Sequence, residues 1–319
     1  MSHKILTNAE LFENIPDREN FTNLAITIGS FDGVHIGHRK IIDALLKRTQ
    51  EKGGDPVVIT FETHPRLFLN PEYALKLITT NDEKADILKS IGIKQMLMLR
   101  FSREMANLSA RDFYNSLLIE KLGVKDIIIG YDHAFGKDRE GGIELLKKLG
   151  AENGISIEQI EEELVDDRAV SSTWIRDELA EGNTAFANSL LGRAYSISGY
   201  VVRGEGRGKL LGYPTANVQP GNDKKIVPAD GVYAVKVLVD GFSKELSGML
   251  NVGTNPTFDG KKRTIEANIF DFNADLYGKE ITVFFHERIR AEKKFNGIEE
   301  LKAQLKIDMQ SVKEIFKIS

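Results

Sequence analysis

The chain contains no cysteine. That excludes a disulfide framework, thiolate zinc sites and cysteine nucleophiles together, and removes any sign of an oxidising compartment. It also has no run approaching the ~18 apolar residues of a membrane span. Its first residues, MSHKILTNAELFENI, lack the apolar core of a signal peptide. The cytoplasm is therefore the expected location, with no membrane partner. An excess of positive charge is missing too: 43 Lys plus Arg stand against 47 Asp plus Glu, a formal charge of −4. A protein that coats phosphate backbones needs such an excess, so no nucleic-acid partner is expected and any phosphate must be held in a local site. No internal period marks a repeat architecture. What is present is 41% apolar residues, including 17 Phe and 8 Tyr, over 319 residues. That is enough to rule out disorder and to build about two domains of the usual ~100–200 residues.

From Leu24 to about Gly182 short aliphatic runs alternate with stretches of helical period, the pattern of a parallel sheet covered by helices. Strands are expected at Leu24–Gly29, Pro56–Phe61, Gln95–Phe101, Asp126–Gly130 and Ile155–Ile160. Thr80 with Glu83, and Ser109 with Asp112, carry capping signals ahead of apolar helical faces. The spacing implies right-handed crossovers and an α/β doubly wound domain. Near residue 185 the pattern changes. Ile197–Val202, Gly231–Val239, Glu245–Asn251, Thr264–Phe270 and Lys279–His286 read as strands separated by turns, an antiparallel barrel or sandwich. Ile298, Leu301, Leu305, Met309, Val312 and Ile315 then mark a closing helix. The expected division is residues 1–185 (α/β) and 186–319 (all-β).

In an open parallel sheet, ligands bind beyond the carboxyl ends of the strands, so the residues there carry the chemistry. After the first strand comes Gly29-Ser30-Phe31-Asp32-Gly33-Val34-His35-Ile36-Gly37-His38, two imidazoles at a helix N-terminus where free N–H groups already favour an anion. After the second comes Phe61-Glu62-Thr63-His64-Pro65, and after the fourth Gly130 to Arg139 with Asp132, His133 and Phe135. Four of the six histidines thus fall at strand ends. Ser171-Ser172-Thr173-Trp174-Ile175-Arg176 opens a helix with three hydroxyls and a cation, a second anion cradle. Two other readings compete. Each motif alone is an ordinary helix cap, and Asp32, His35 and His38 together have the donor types of a zinc site. Gly37 between the imidazoles, suited to close approach of a phosphate, favours the anion.

In the second half Gly204-Glu205-Gly206-Arg207-Gly208-Lys209-Leu210-Leu211-Gly212-Tyr213-Pro214-Thr215-Ala216-Asn217 matches neither common nucleotide fingerprint, since Lys209 is followed by Leu210 and no third dinucleotide glycine precedes a helix. A Gly-rich loop between strands remains, with a plain hairpin as the alternative. Thr215 and Asn217, two apart on an extended segment, point to one face and offer oxygens to a hard cation such as Mg²⁺.

Ser30 to His38, Thr60 to Pro65, Gly130 to Arg139 and Ser171 to Arg176 resemble the adenylyltransferase half of the bacterial bifunctional riboflavin kinase/FAD synthetase family. The Gly-rich loop with Pro214-Thr215-Ala216-Asn217, Gly231-Val232-Tyr233, Asn251 to Phe258, Asp271 to Gly278 and Arg290 to Phe295 resemble its kinase half. The resemblance implies an enzyme that phosphorylates riboflavin to FMN and adenylylates FMN to FAD, with ATP as co-substrate and Mg²⁺ as cofactor. It implies an N-terminal nucleotidyltransferase domain and a C-terminal antiparallel Greek-key β-barrel with a closing helix. In the first half it assigns His35 and His38 to the α-phosphate and Gly29, Phe31, Asp32, Gly33, Gly37 and Asp132 to the nucleotide. Ser171, Ser172, Thr173 and Arg176 would hold the departing phosphates, and Phe61, His64, Pro65 and Phe135 the flavin. In the second it places ATP under Gly204, Gly206, Arg207, Gly208 and Lys209, the metal on Thr215 and Asn217, and flavin against Arg290, Glu292 and Phe295. Glu266 would be the base. As an alternative, Glu266 alternates with Ile265 and Ala267 and reads as the solvent face of a strand. Lys209, His133 and Asn268 depart from the family's usual Arg, Phe and His. The remaining alternative is a chain keeping one activity, its other domain a flavin-binding regulatory module. Homo-oligomer formation is left open by the sequence.

Overall fold

A computed structural model of the chain describes residues 12, 14–70, 72, 74–133, 136, 141–204, 208, 211–257 and 260–318, with backbone alone for 255–257 and 260–262. The expected ligand residues Phe135, Gly206, Arg207 and Lys209 lie outside the described residues. Packing divides the chain into two compact units. The first holds residues up to Leu75 and Thr79–Ser171; the second holds Lys76–Ile78 and Ser172–Ser319.

The first unit is a five-stranded parallel sheet of β1 (Ala25–Ile28), β2 (Pro56–Phe61), β3 (Gln95–Leu99), β4 (Asp126–Gly130) and β5 (Ser156–Ile160), in the order β3-β2-β1-β4-β5. Order reverses between β1 and β4, which opens the ligand crevice at the carboxyl end of β1. The three inner strands β1, β2 and β4 are short aliphatic runs because both of their faces are buried, while the edge strands β3 and β5 are more polar and exposed. Ile26, Ile28, Val57, Ile59, Ile127 and Ile129 face one apolar cluster, and Ala25, Val58 and Ile128 face the other. Helices α1 (Ile36–Lys52), α2 (Pro65–Leu69) and α3 (Asn81–Ser90) follow the first two strands, and Ile42, Leu45 and Leu88 seal the second cluster. The Thr80 hydroxyl accepts from the Glu83 N–H at 3.2 Å and the Glu83 carboxylate accepts from the Thr80 N–H at 2.9 Å, the reciprocal cap expected for α3. Two single-turn helices, α4 (Arg103–Ala106) and α5 (Ala110–Phe113), lead into Tyr114–Lys121, which winds as a π-helix and keeps Tyr114, Leu117 and Leu118 buried. The sequence reads as an ordinary helix there and carries no signal for the wider winding. Helix α6 (Ile143–Asn153) precedes β5, and the small ribbon β6 (Leu164–Val165) with β7 (Arg168–Ala169) ends the unit.

The second unit opens with α7 (Ser172–Glu181) and α8 (Thr184–Leu191). Six strands follow, β8 (Tyr195–Val202), β9 (Ala216–Pro220), β10 (Gly231–Val239), β11 (Leu246–Thr257), β12 (Gly260–Ile269) and β13 (Glu280–Ala291). They close as an antiparallel barrel, β10-β11-β12-β9-β8-β13. Helix α9 (Ile298–Phe316) covers it, with Leu305, Met309, Val312 and Phe316 against Val232, Ala234, Met249 and Phe270. Ile298 departs from the expected apolar face and is 61% exposed, while Asp308 on the packed side is fully buried. The sequence missed β9, whose Ala216-Asn217-Val218-Gln219 run is too polar to read as a strand without its barrel neighbours.

Candidate active sites

The turn after β1 is the most constrained backbone of the first unit. Phe31 (φ 46°), Gly33 (φ 87°) and Val34 (φ 40°) are all left-handed. For the β-branched Val34 this is an outlier, a conformation that costs of order 1–3 kcal/mol and persists only where surroundings over-determine it. Those surroundings are visible. Phe31, Asp32, Val34 and His35 are all buried. The Asp32 carboxylate accepts from the Thr79 N–H at 2.9 Å and from its hydroxyl at 3.3 Å, and the same hydroxyl accepts from the Gly33 N–H at 3.0 Å. Asp32 is thus a loop clamp built into the site floor.

The turn delivers the two imidazoles to the start of α1. His35 caps the helix, its Nδ1 accepting from the His38 N–H at 3.3 Å. The two rings stack with centroids 3.6 Å apart, and Phe31 meets His38 edge-on at 5.1 Å. A side chain at Gly37 would place its Cβ 3.3 Å from the His35 ring, so glycine there serves the stacking as well as the approach of a ligand. Among the described residues no three of His, Cys, Asp and Glu cluster as metal ligands. The stacked rings, with Asp32 engaged by Thr79, form a donor face at a helix N-terminus, where an anion is favoured.

Sequence reasoning overlooked Lys84. It is buried on α3 and donates to the Ser30 carbonyl at 2.7 Å and to the Thr60 hydroxyl at 3.0 Å; that hydroxyl also donates to the Ser30 carbonyl at 3.1 Å. Burial pushes its pKa down to about 8, against the upward pull of Asp32. Its one sequence signal is its place directly after the Thr80–Glu83 cap.

At the ends of β2 and β3, Phe61 and Phe68 both meet Phe101 edge-on, at 5.6 and 5.4 Å, an aromatic group beside His64 and Pro65. His64 caps α2, its Nδ1 accepting from the Arg66 N–H at 3.2 Å, and Pro65 takes the first helical position. Asp132 is exposed just past β4, and a Cβ on Gly130 would lie 3.1 Å from Ile41. Ser171 ends the first unit, whereas Ser172, Thr173 and Arg176 open the first helix of the second. There the Arg176 Nε donates to the Lys76 carbonyl at 2.8 Å.

The second unit holds a cavity of about 720 Å³ lined by Gly204, Gly208, Thr215, Asn217, Glu266 and Glu292 among others. Barrel register explains its chemistry. Glu266 lies opposite Asn217 on one neighbouring strand and Asn251 on the other, so three polar side chains form one row across β9, β12 and β11. The Glu266 carboxylate accepts from the Thr215 hydroxyl at 3.4 Å and the Thr264 hydroxyl at 3.3 Å. It is half-buried and lines the cavity, which removes the solvent-face reading. Gly204 approaches this row closely: a Cβ there would fall 2.1 Å from the Asn217 amide. Asn268 donates to the Pro214 carbonyl at 2.7 Å, so this departure from the resemblance pins the segment carrying Thr215.

Arg290 and Phe295 also line this cavity, but the Arg290 guanidinium is committed. Its Nε donates to both Asp308 carboxylate oxygens, at 2.9 and 3.1 Å, and its Nη2 to Oδ2 at 2.8 Å. It also sits 5.7 Å over the Phe295 ring. A side chain at Gly253 would strike the Glu292 carboxylate at 2.3 Å, so Glu292 reaches the Asn251–Gly253 edge of the cavity.

Two family models match the chain: FAD synthetase over residues 17–174 and riboflavin kinase over residues 191–316. The bifunctional riboflavin kinase/FMN adenylyltransferase of Escherichia coli strain K12 is 39% identical over 91% of this chain and 92% of its own length. That of Bacillus subtilis strain 168 is 37% identical over 94% of each. A crystal structure from Streptococcus pneumoniae, described as a macrolide-efflux protein, superposes with a TM-score of 0.85 at 33% identity, covering 94% of this chain and 97% of the other. Among the described residues no helix is long and apolar enough to cross a membrane.

Proposed function

The chain belongs to the bifunctional riboflavin kinase/FMN adenylyltransferase family, and from that premise we propose how its residues divide the two reactions. It phosphorylates riboflavin to FMN and adenylylates FMN to FAD, using ATP in each. We assign adenylylation to the α/β domain, residues 1–185, and phosphorylation to the barrel domain, residues 186–319.

In the α/β domain a phosphate oxygen of FMN attacks the α-phosphorus of ATP, the P–O bond to the β-phosphate breaks, and pyrophosphate leaves. The protein supplies no nucleophile. His35 and His38 donate to the charge that grows on the α-phosphate, aided by the α1 N-terminus, because in-line transfer needs mainly positioning and positive potential. Phe61, His64 and Pro65 offer the flavin an aromatic and apolar edge, and Asp132 lies along the nucleotide. Ser171, Ser172, Thr173 and Arg176 receive the departing phosphates.

In the barrel, Glu266 accepts the proton of the terminal ribityl hydroxyl as its oxygen bonds to the γ-phosphorus and ADP leaves. The hydroxyl and amide oxygens of Thr215 and Asn217 are hard donors that suit Mg²⁺, which keeps several waters and leans on substrate phosphates. When bound, the ion supplies charge neutralisation at those phosphates. Thr215 and Asn217 would hold it, Gly204 and Gly208 border the ATP site, and Glu292 and Phe295 bound the flavin. Arg290 acts on that boundary through α9. The observation that carries the assignment is the register row of Asn217, Glu266 and Asn251 at the cavity wall.

The cysteine-free composition supports work in the cytoplasm, and the balanced charge supports small-molecule partners only. Incubation of the purified chain with riboflavin and MgATP, followed by chromatography, should yield FMN and then FAD. FMN alone would refute the assignment to the first unit, and FAD made only from added FMN the assignment to the second.

A further inference from the structure

A carbonyl oxygen facing a phosphate repels it, so a turn beside a phosphate site has to hold its carbonyl oxygens elsewhere. The turn after β1 achieves this with a buried cation. Ser30, the residue before the turn Phe31-Asp32-Gly33-Val34, in which Phe31, Gly33 and Val34 are left-handed, has its carbonyl oxygen bonded by the Lys84 ammonium at 2.7 Å and the Thr60 hydroxyl at 3.1 Å. Asp32, within that turn, is bonded by Thr79, five residues before Lys84 on the segment leading into the same helix. The α3 cap at Thr80 lies between the two, so one helix start grips the turn at Ser30, Asp32 and Gly33. A fully amphipathic surface helix has no use for a lysine at a buried position, and Lys84 is only 5% exposed.

We propose that Lys84 is a positioning residue of the adenylylation site, its charged ammonium holding the Ser30 carbonyl beneath the turn so that His35 and His38 meet the α-phosphate. This rests on the assignment of those histidines made above. The charged group that acts on Lys84 is Asp32 on the turn, while its hydrogen-bond partners, the Ser30 carbonyl and the Thr60 hydroxyl, are neutral. Burial acts first on the ammonium and lowers its pKa to about 8, with Asp32 opposing. Deprotonation therefore falls within the working range: above it the turn keeps a neutral donor but loses the charge opposite buried Asp32.

The test uses the full chain, with FAD formation from FMN and MgATP measured as kcat and KM across the range from about pH 6 to 10. FMN formation by the barrel in the same preparation reports intact protein. Lys84→Met should lower the FAD-forming kcat by roughly tenfold to a hundredfold, the scale of a sub-ångström to 1 Å misplacement. FMN formation should stay within about twofold. The parent should lose FAD-forming kcat with a limb near pH 8, and Lys84→Arg, which stays protonated, should move that limb upward by at least about one pH unit. An unmoved limb in Lys84→Arg overturns the proposal even if Lys84→Met fails to fold, as does a Lys84→Met enzyme within about threefold of the parent. His38→Ala is run in parallel. Undiminished FAD formation in that variant would overturn the histidine assignment itself, whereas silence of the Lys84 variants alone would overturn only the role given to Lys84.

Discussion

The Arg290–Asp308 pair offers a sharp quantitative test, because the carboxylate is fully buried under α9 and takes three hydrogen bonds from one guanidinium. Gln304 adds one more at 2.9 Å. Removing the cation leaves a buried charge with a single neutral donor, a loss of about 3–5 kcal/mol when one partner of a buried pair is deleted. Arg290→Met should therefore lower the melting temperature of the second unit by roughly 6–20 °C, at roughly 2–4 °C per kcal/mol for a unit of this size. The chain's single tryptophan, Trp174, lies in α7 of that unit, so its fluorescence follows the relevant transition. Replacing both partners by apolar groups removes the stranded charge. Arg290→Met with Asp308→Leu should recover most of the loss, since Leu305 and Met309 already pack on this side of α9. Arg290→Lys keeps the charge without the fork and should fall between. A loss below about 1 kcal/mol in Arg290→Met, or a double variant no better than the single, would refute the account of this pair as what seats the closing helix.

His38→Ala should reduce FAD formation by ~10²–10³, the scale of one oxyanion donor, with FMN formation unchanged by chromatography. Glu266→Gln should do the converse, lowering FMN formation by ~10²–10⁴ because an amide keeps the shape but takes no proton; activity within a few fold would remove Glu266 as the base. A Ser172–Ser319 fragment should make FMN and no FAD. A fragment beginning at Leu190 should be markedly less stable in urea, because it cuts α8, where Ala187 is fully buried and the Asn188 side chain bonds the Phe285 carbonyl at 2.8 Å and the Tyr195 N–H at 2.7 Å.

Much of this molecule is written locally. Pro56–Phe61, Asp126–Gly130 and Gly231–Val239 are strands to the residue, because β-branched runs bounded by turn residues have one low-energy use. The α3 cap is equally local, since both partners lie within one turn. The loop chemistry at Gly29–His38 and at Pro214–Asn217 was legible for the same reason: short spacings at strand ends place donors before any long-range contact forms. Composition alone set the absence of thiol chemistry.

Other features depend on contacts between residues far apart in sequence, which no local pattern encodes. Polar Ala216–Pro220 becomes a strand only when β8 and β12 flank it, and that pairing is what sets Asn217 beside Glu266. Arg290 reads as a lone charge at the end of a strand, and only the fold pairs its guanidinium with Asp308, near the middle of a helix that reads as amphipathic. Ser172 and Arg176 sit in sequence with the α/β half, yet their helix packs with the barrel, because its buried Trp174 meets Phe186 of α8 at 5.5 Å. Lys84 reads as one charge on a helix face, and only the fold buries it against a carbonyl fifty-odd residues upstream. Hydrophobic period and capping are short-range codes; the partner of a buried charge is chosen by the packed structure, where leaving that charge alone costs far more than any local preference supplies.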